Sequence, residues 1–218
     1  MILLIEDRVD RQKYFMSETD IDLDRYSDVL DNMIKSKYHE FVQKIKADTT
    51  DLDKYTVIVS HKSAFGDDNI GILQKLENHC RQYNKPLVLF SGGTDTNYYE
   101  NIDFELLELN SKLFYSDNLQ RFLKETEEGT SNILTLAYGK QWKLNILLNV
   151  LEKINLQITA NIALDYEEFQ LDTNSDLLDD IKVELYVPVI QNGTIGIDEM
   201  KKVGLDLEQY IRKVVTYA

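Results

Sequence analysis

The chain has 218 residues, a formal net charge of −14 and one cysteine. This length is sufficient for one large or two small hydrophobic cores without disulfides, and the lone Cys80 cannot form an intrachain bridge, which is typical of a reducing compartment. The negative charge repels nucleic-acid phosphates and anionic membrane surfaces, so we expect neither as a partner, but a protein partner with a neutral or basic surface.

We expect no targeting or membrane-spanning segment. The first apolar run, "MILLI", is shorter than the apolar region of a signal peptide, and acids follow it where a signal peptide would have cations before it. No later run approaches the roughly 18 apolar residues of a membrane span. These features predict a cytoplasmic protein.

Three short apolar runs, at residues 2–5, 55–60 and 87–90, have the length of buried strands. Their continuous hydrophobicity is typical of parallel strands covered by helices on both sides. Between the second and third runs, a helix with Asp68 or Asn69 as N-cap is predicted from apolar residues at helical spacing: Ile70, Leu73, Leu76, Cys80 and Tyr83. Strand, helix and strand in this order predict a right-handed crossover.

The remaining elements of this part of the chain are predicted from weaker patterns. The acidic "SETDIDLDRYSDVLDN" is the candidate for an edge strand, between helices in "DRQKYF" and "HEFVQKIKA". "FELLELN" and "KLFYS" are candidates for one more strand, which the helix "DNLQRFLKE" follows. The polar stretch "KETEEGTSN" then predicts a boundary between domains 1–125 and 126–218.

The second domain begins with a long apolar helix. Its broad apolar face contains Trp142, Ile146, Leu147, Val150, Leu151 and Ile154. Core packing is the default role of such a face, and homodimerisation is the alternative. "VELYVPVIQNGTIGI" predicts a hairpin that turns at Asn192-Gly193, and "DEMKKVG" and "DLEQYIRKVV" predict two short helices.

The loop "SGGTDT" follows the third apolar run and resembles the SGGxD[ST] loop of the PP-loop ATP pyrophosphatases. Glycines let backbone N–H groups approach a phosphate, and hydroxyl groups add donors. The resemblance implies an ATP-binding enzyme that uses Ser91, Gly92, Gly93 and Asp95. In that family, however, the loop opens onto a helix whose N-terminus faces the phosphates, and "NYYENIDFELLEL" does not begin such a helix.

The adjacent acids Glu6 and Asp7 follow the first apolar run directly. At the carboxyl edge of a parallel sheet, where ligand sites form, they would supply the oxygen ligands that Mg²⁺ uses. Acids that cap the next helix are an equally good interpretation. No cofactor is firmly implied, and Mg²⁺ is the candidate.

The order of these segments resembles a response-regulator receiver domain. "MILLIEDRVDRQKYF" is similar to its first strand, acidic pair and first helix, and the long segment from "YTVIVSHKSAF" to "LVLFSGG" is similar to its third strand through its fourth. "KLFYSDNLQRFL" resembles its fifth strand and last helix. The resemblance implies an α/β fold with a receiver-like, flavodoxin-type open parallel sheet and helices on both faces, joined to a smaller C-terminal α+β unit.

Carried over by position, the resemblance implies an incomplete phosphorylation site. Glu6 and Asp7 match the metal-binding acids, and Ser91 matches the switch serine or threonine. The phosphoacceptor aspartate is replaced around Ser60-His61, and the lysine after the fifth strand falls at about Ser116. The chain therefore looks like a pseudo-receiver that does not take part in phosphorelay signalling.

His61 allows three interpretations. We favour a structural histidine that fills the vacated site, over a ligand that completes a divalent-metal sensor with Glu6 and Asp7. A hydrolase built from Ser63, His61 and an acid is the third interpretation, which we disfavour because residues two apart at one strand end do not readily meet. From the sequence we therefore expect a non-enzymatic regulatory or interaction protein, with an ATP-binding enzyme or a metal sensor as the alternatives.

Overall fold

The computed structural model of the chain describes residues 1–6, 8–31, 35–94, 97–101, 103–162, 164–165 and 194–216. The chain divides into two compact units, 1–140 and 141–218. The predicted domain boundary, between residues 125 and 126, falls inside a helix of the first unit. Within the described ranges, no helix is both long and apolar enough to cross a membrane.

The first unit begins with strand β1 (Ile2–Glu6), helices α1 (Val9–Thr19) and α2 (Leu23–Tyr26), strand β2 (Ser27–Asp31), helix α3 (Lys35–Lys46) and strand β3 (Val57–His61). It continues through a short 3₁₀ turn (Gly66–Asp68), helix α4 (Asn69–Tyr83) and strands β4 (Leu87–Ser91), β5 (Tyr98–Asn101) and β6 (Glu105–Asn110). Helices α5 (Ser111–Phe114), α6 (Asp117–Glu127) and α7 (Leu134–Tyr138) complete it.

These strands form one six-stranded sheet in the order β2-β1-β3-β4-β6-β5. All neighbours are parallel except β5 and β6, which are antiparallel. The five parallel strands have the flavodoxin-type order, in which the first strand lies beside the third. The predicted α/β fold and the predicted edge strand in "SETDIDLDRYSDVLDN" are confirmed, since among the described strands β2 pairs with β1 alone.

Helices cover both faces of this sheet, which explains the continuous apolar runs. Every residue of β1 and β3 is buried. On one face, Leu3 and Ile5 belong to a core with residues of α3 and α4, including Ile45 and Leu76. On the other face, α1 and the segment after β6 pack together, with the rings of Phe15 and Tyr115 6.0 Å apart.

Helix α4 is found where it was predicted. Asp68 lies at its N-cap position but makes no side-chain capping hydrogen bond, and the predicted apolar face is partly wrong. Ile70 is 86% exposed and Tyr83 is 49% exposed, whereas Ile72 is buried with Leu76 and Cys80. At 3.6 residues per turn, Ile70 lies about 240° around the helix from Leu76. Residues 72, 76 and 80 instead lie close together on the side that faces the sheet.

The last parallel strand is "ELLELN", not "KLFYS". Residues Ser111–Phe114 form a helical turn, which Asn110 begins by accepting a hydrogen bond from the Lys112 N–H at 2.9 Å. The alternation of half-buried and buried residues in β6 fits a strand with one face packed on the core and the other face partly covered. Ser116, where the receiver lysine was predicted, is the N-cap of α6.

The second unit contains helices α8 (Trp142–Ala160) and α9 (Ile197–Thr216) and the short strand pair β7 (Leu164–Asp165) and β8 (Thr194–Ile195). α8 buries part of its predicted face against α9. The prediction of two helices around Gly204 is wrong, because α9 is continuous and a Cβ on Gly204 would lie 3.4 Å from Ile154. The predicted turn at Asn192-Gly193 lies outside the described residues.

Candidate functional site

The strand register places several predicted site residues at the carboxyl edge of the sheet. Glu6 ends β1 opposite Asp31 of β2, and Ile5 pairs with Ser60 of β3. His61, one residue further, pairs with Phe90 of β4. Because side chains alternate along a strand, Glu6, His61 and Phe90 point to the same face of the sheet.

Glu6 is completely buried, and both of its carboxylate oxygens are hydrogen-bonded. Oε1 accepts the Arg8 N–H at 3.1 Å and Nη1 of Arg11 at 3.2 Å. Oε2 accepts the Tyr115 hydroxyl at 2.6 Å. A buried carboxylate is strongly unfavourable unless it is paired and hydrogen-bonded, and these three donors provide that compensation. The carboxylate is already coordinated by the protein itself.

Tyr115 connects this carboxylate to an aromatic cluster. Its ring contacts those of Phe15, Phe90 and Phe114, with centroid distances of 4.8 to 6.0 Å. Burial, and then the negative charge and hydrogen bond of Glu6, raise the pKa of Tyr115 well above its usual value, while Arg11 opposes them. The phenol therefore stays protonated at neutral pH and donates to Glu6 permanently.

His61 is buried at the last position of β3, directly before the turn that follows the strand. Its Nδ1 lies 3.3 Å from the Ser63 N–H and 3.0 Å from Ser63 Oγ. A backbone N–H can only donate, so Nδ1 accepts and the ring is assigned as the neutral tautomer with its proton on Nε2. The ring also packs edge-on against Phe90 at 5.2 Å.

The contact between His61 and Ser63 corrects one sequence argument. Residues two apart at this strand end do meet, because the chain turns immediately after β3. The Ser63 N–H donates to Nδ1 of His61, and the Ser63 hydroxyl lies close to the same nitrogen. A local hydrogen bond of this kind, from the backbone to the His61 side chain, stabilises the turn. Ser60, at the end of the same strand, is buried and donates to the carbonyl of His61 at 3.2 Å.

The "SGGTDT" loop leaves the end of β4 and leads into β5. Ser91 accepts the Gly93 N–H through its Oγ at 3.3 Å, and Asn110 donates to the carbonyls of Gly92 and Thr94 at 3.4 and 2.8 Å. Neither Gly92 nor Gly93 has a positive φ, and no neighbouring atom lies close enough to exclude a side chain. The element after the loop is an antiparallel strand rather than a helix.

The predicted residues do not all come together. Ser91 is one residue beyond Phe90 and therefore points to the face opposite Glu6 and His61. Asp7 and Asp95 lie outside the described residues. In the part of the chain that the structure describes, no group of three or more His, Cys, Asp or Glu side chains is placed to hold a metal ion.

Two residues that contribute to this cluster were missed from the sequence. Arg11 lies in the first turn of α1, five positions after Glu6, and Tyr115 lies in "KLFYS", which was interpreted as a candidate strand. Because β1 leads almost directly into α1, an arginine in the first turn of that helix is the signal that could have been recognised. No sequence signal connects Tyr115 to Glu6, since the two residues are far apart in the chain.

No protein family, curated protein or solved structure matches this chain. The assignment of a function therefore depends on the contacts at the edges of the sheet.

Proposed function

We propose that the protein is a non-catalytic regulatory or interaction protein, built on a receiver-like domain that has lost its phosphorylation site. The observation that carries this proposal is the coordination of Glu6. Its two oxygens are occupied by Arg8, Arg11 and Tyr115, so the carboxylate serves the fold. Ser60 and His61 occupy the strand end where the resemblance would require an aspartate.

The strand order supports the receiver-like part of this proposal. A sheet of five parallel strands in flavodoxin-type order brings the ends of β1, β3 and β4 to one edge, as in a receiver domain. The antiparallel strand β5, which follows β4 in the chain, is a departure from the order of segments that the resemblance implies.

The proposed partner is a protein with a neutral or basic surface, because the chain carries a net charge of −14. The carboxyl edge has exposed acids that would meet such a partner, among them Asp67 in the turn after β3. Homodimerisation is the second form that this interaction could take, and light scattering during size exclusion would detect it.

The ATP-binding alternative has less support from the geometry. A phosphate-binding loop needs free backbone N–H groups and gains from a following helix N-terminus. Here the Gly93 N–H is hydrogen-bonded to Ser91, and the chain continues into β5. The metal-sensor alternative would require Glu6 to give up its present donors.

The proposal can be tested by chemical cross-linking and affinity capture from the native cell extract, followed by binding measurements with each purified partner. Asp67→Lys changes the carboxyl edge, and Glu18→Lys is the matched control on α1, where the side chain is also exposed. We expect a partner that binds the wild type and Glu18→Lys with similar affinity and binds Asp67→Lys about tenfold or more weakly.

Calorimetry distinguishes our proposal from the alternative that the protein is an ATP-binding enzyme. Titration with Mg-ATP should give no binding heat for the wild type at millimolar ATP. Binding heat that Gly93→Val abolishes would instead support the ATP-binding enzyme and contradict our proposal.

A further inference from the structure

A cavity of about 560 Å³ opens at the amino edge of the same sheet, opposite the Glu6 cluster. Its walls are the loop of residues 47–55, which precedes β3, and the last turns of α4. Polar side chains make up most of its lining, and Ile45, Leu52 and the ring of Tyr83 supply its apolar part. A concave site with convergent polar groups suits a small polar molecule.

Two polar atoms in this cavity are buried and accept or donate no hydrogen bond within the described part of the chain. They are Oγ1 of Thr50 and Nε2 of His79. The nearest charged group to His79 is Oδ1 of Asp53, at 3.7 Å from Nε2, which is too far for a hydrogen bond. Buried polar atoms are nearly always paired, so these two have capacity for a bound molecule.

The cavity also presents an aromatic face. Tyr83 is half exposed, and its ring packs on that of His79 with centroids 4.7 Å apart. Both residues lie on α4, four positions apart, so the helix holds the pair in place. A planar group could stack on the open side of Tyr83 without any rearrangement of the fold.

The residues that line this cavity have a negative balance of charge, with three aspartates and one lysine. Lys75 donates to the carbonyls of Ile45 and Lys46 and to Asp48, which uses all three of its N–H groups. Lys85 similarly donates to the carbonyls of Leu52, Asp53 and Tyr55. Neither lysine therefore has a donor to spare for an anion.

The carboxylates of Asp51 and Asp53 are exposed. Asp53 Oδ1 lies 4.0 Å from Nζ of Lys85 and 3.7 Å from Nε2 of His79, both beyond hydrogen-bond distance, and Asp51 has no ion pair in the part of the chain that the structure describes. Burial, and then Lys85, lower the pKa of His79, although Asp53 acts in the opposite direction. The imidazole is thus neutral at pH 7 and leaves these carboxylates available to a positive ligand.

We infer that this cavity binds a small planar organic cation of the amidinium or guanidinium class. The cation would pair with Asp51 and Asp53, and its flat part would stack on Tyr83. Its N–H groups would reach Oγ1 of Thr50 and, with the imidazole proton on Nδ1, Nε2 of His79. Bidentate pairing with a carboxylate is the preferred geometry of such cations, and stacking on an aromatic face adds to it. The inference is independent of the proposed regulatory function.

Benzamidinium is a suitable probe, because benzamide is a neutral molecule of almost the same shape. We expect calorimetry at low salt to detect benzamidinium binding to the full chain at millimolar or lower concentration, and no binding of benzamide in the same range. Asp51→Asn should weaken benzamidinium binding about fivefold, as expected for one partly exposed charge pair. Glu18→Gln removes one acid outside the cavity and should leave the affinity unchanged.

Two further variants separate the stacking contact from a general attraction to an acidic protein. Tyr83→Phe should retain the affinity, and Tyr83→Ala should reduce it, with circular dichroism confirming that each variant is folded. The absence of binding heat at a benzamidinium concentration tenfold above the expected millimolar range would overturn the inference. Equal binding of benzamide, or equal benzamidinium affinity of Asp51→Asn and Glu18→Gln, would also overturn it. Equal binding of Tyr83→Ala and wild type would also overturn it.

Discussion

Both edges of the sheet in the first unit contain carboxylates near a tyrosine, but the two edges differ in the burial and hydrogen bonding of their polar groups. At the carboxyl edge, Glu6 is buried and saturated by donors, and Tyr115 closes over it. At the amino edge, Asp51 and Asp53 are exposed, and the buried atoms of Thr50 and His79 have no partner among the described residues. A polar cluster with satisfied hydrogen bonds stabilises a fold, whereas a cavity with unsatisfied groups is prepared for a ligand.

The largest effect that would test this comparison is expected from Tyr115→Phe. The change removes the hydrogen bond from the Tyr115 hydroxyl to Oε2 of the completely buried Glu6, which should lower the free energy of unfolding by about 1–3 kcal/mol. Urea denaturation measures it. Tyr14→Phe is the control, since Tyr14 is exposed and the change should stay within about 0.5 kcal/mol. Equal values for the two variants would show that the carboxyl edge does not depend on this bond.

A second test uses alkaline pH. The pKa of Tyr115 is raised in the folded protein, so the unfolded chain loses the phenol proton first, and stability decreases as the pH rises above about 10. The slope from this group approaches about 1.4 kcal/mol per pH unit. The pKa values of Tyr98 and Cys80 are also raised, each to about 12, but both groups remain in Tyr115→Phe. The difference between wild type and variant therefore isolates Tyr115, and parallel pH curves would contradict its assignment.

A third test uses acidic pH at the other edge. The pKa of His79 is lowered in the folded state by burial and Lys85, with Asp53 opposing, and Tyr83 packs on the ring. The unfolded chain therefore gains a proton first as the pH falls below about 6.5, and stability is lost. We expect His79→Gln to lose less stability than the wild type between pH 7 and 5. The effect should be smaller than that of Tyr115, because His79 is closer to solvent.

The smallest effect is expected from Thr50→Val, which replaces a buried hydroxyl that has no described partner. The change should be within about 0.5 kcal/mol of neutral, or stabilising, because no hydrogen bond is lost. Thr135→Val is the matched change, since Thr135 is buried and bonded to Glu125 at 3.2 Å, and it should cost about 1 kcal/mol. If Thr50→Val costs as much as Thr135→Val, the hydroxyl of Thr50 is already paired, and the cavity is less open than we propose.

Much of the sheet could be predicted because its signals are local. The runs at 2–5, 55–60 and 87–90 are apolar on both sides, which requires helices on both faces, and all three are strands. The site was harder, because its contacts join distant segments. Glu6 was recognised as an end-of-strand acid, but its partner Tyr115 was placed in a strand that does not exist.

Two errors in the helices have the same origin. Ile70 was assigned to the buried face of α4, although only the position of the sheet decides which of several adjacent apolar residues is covered. Gly204 was interpreted as a helix break, whereas its small size allows α9 to approach Ile154 of α8 closely. In both helices, the burial of the residue depends on a neighbouring element that is distant in the chain.

The amino-acid sequence alone specifies the alternation of strands and helices, the acidic charge and the edge of the sheet at which Glu6, His61 and Ser91 end their strands, because these depend on residues close together in the chain. Tertiary structure determines whether those groups are available to bind a ligand. It covers Glu6 with Tyr115, turns Ser91 away from His61, and leaves a cavity beside Tyr83 at the other edge. Burial and hydrogen-bond pairing depend on all the groups that surround an atom, and most of those groups come from other elements.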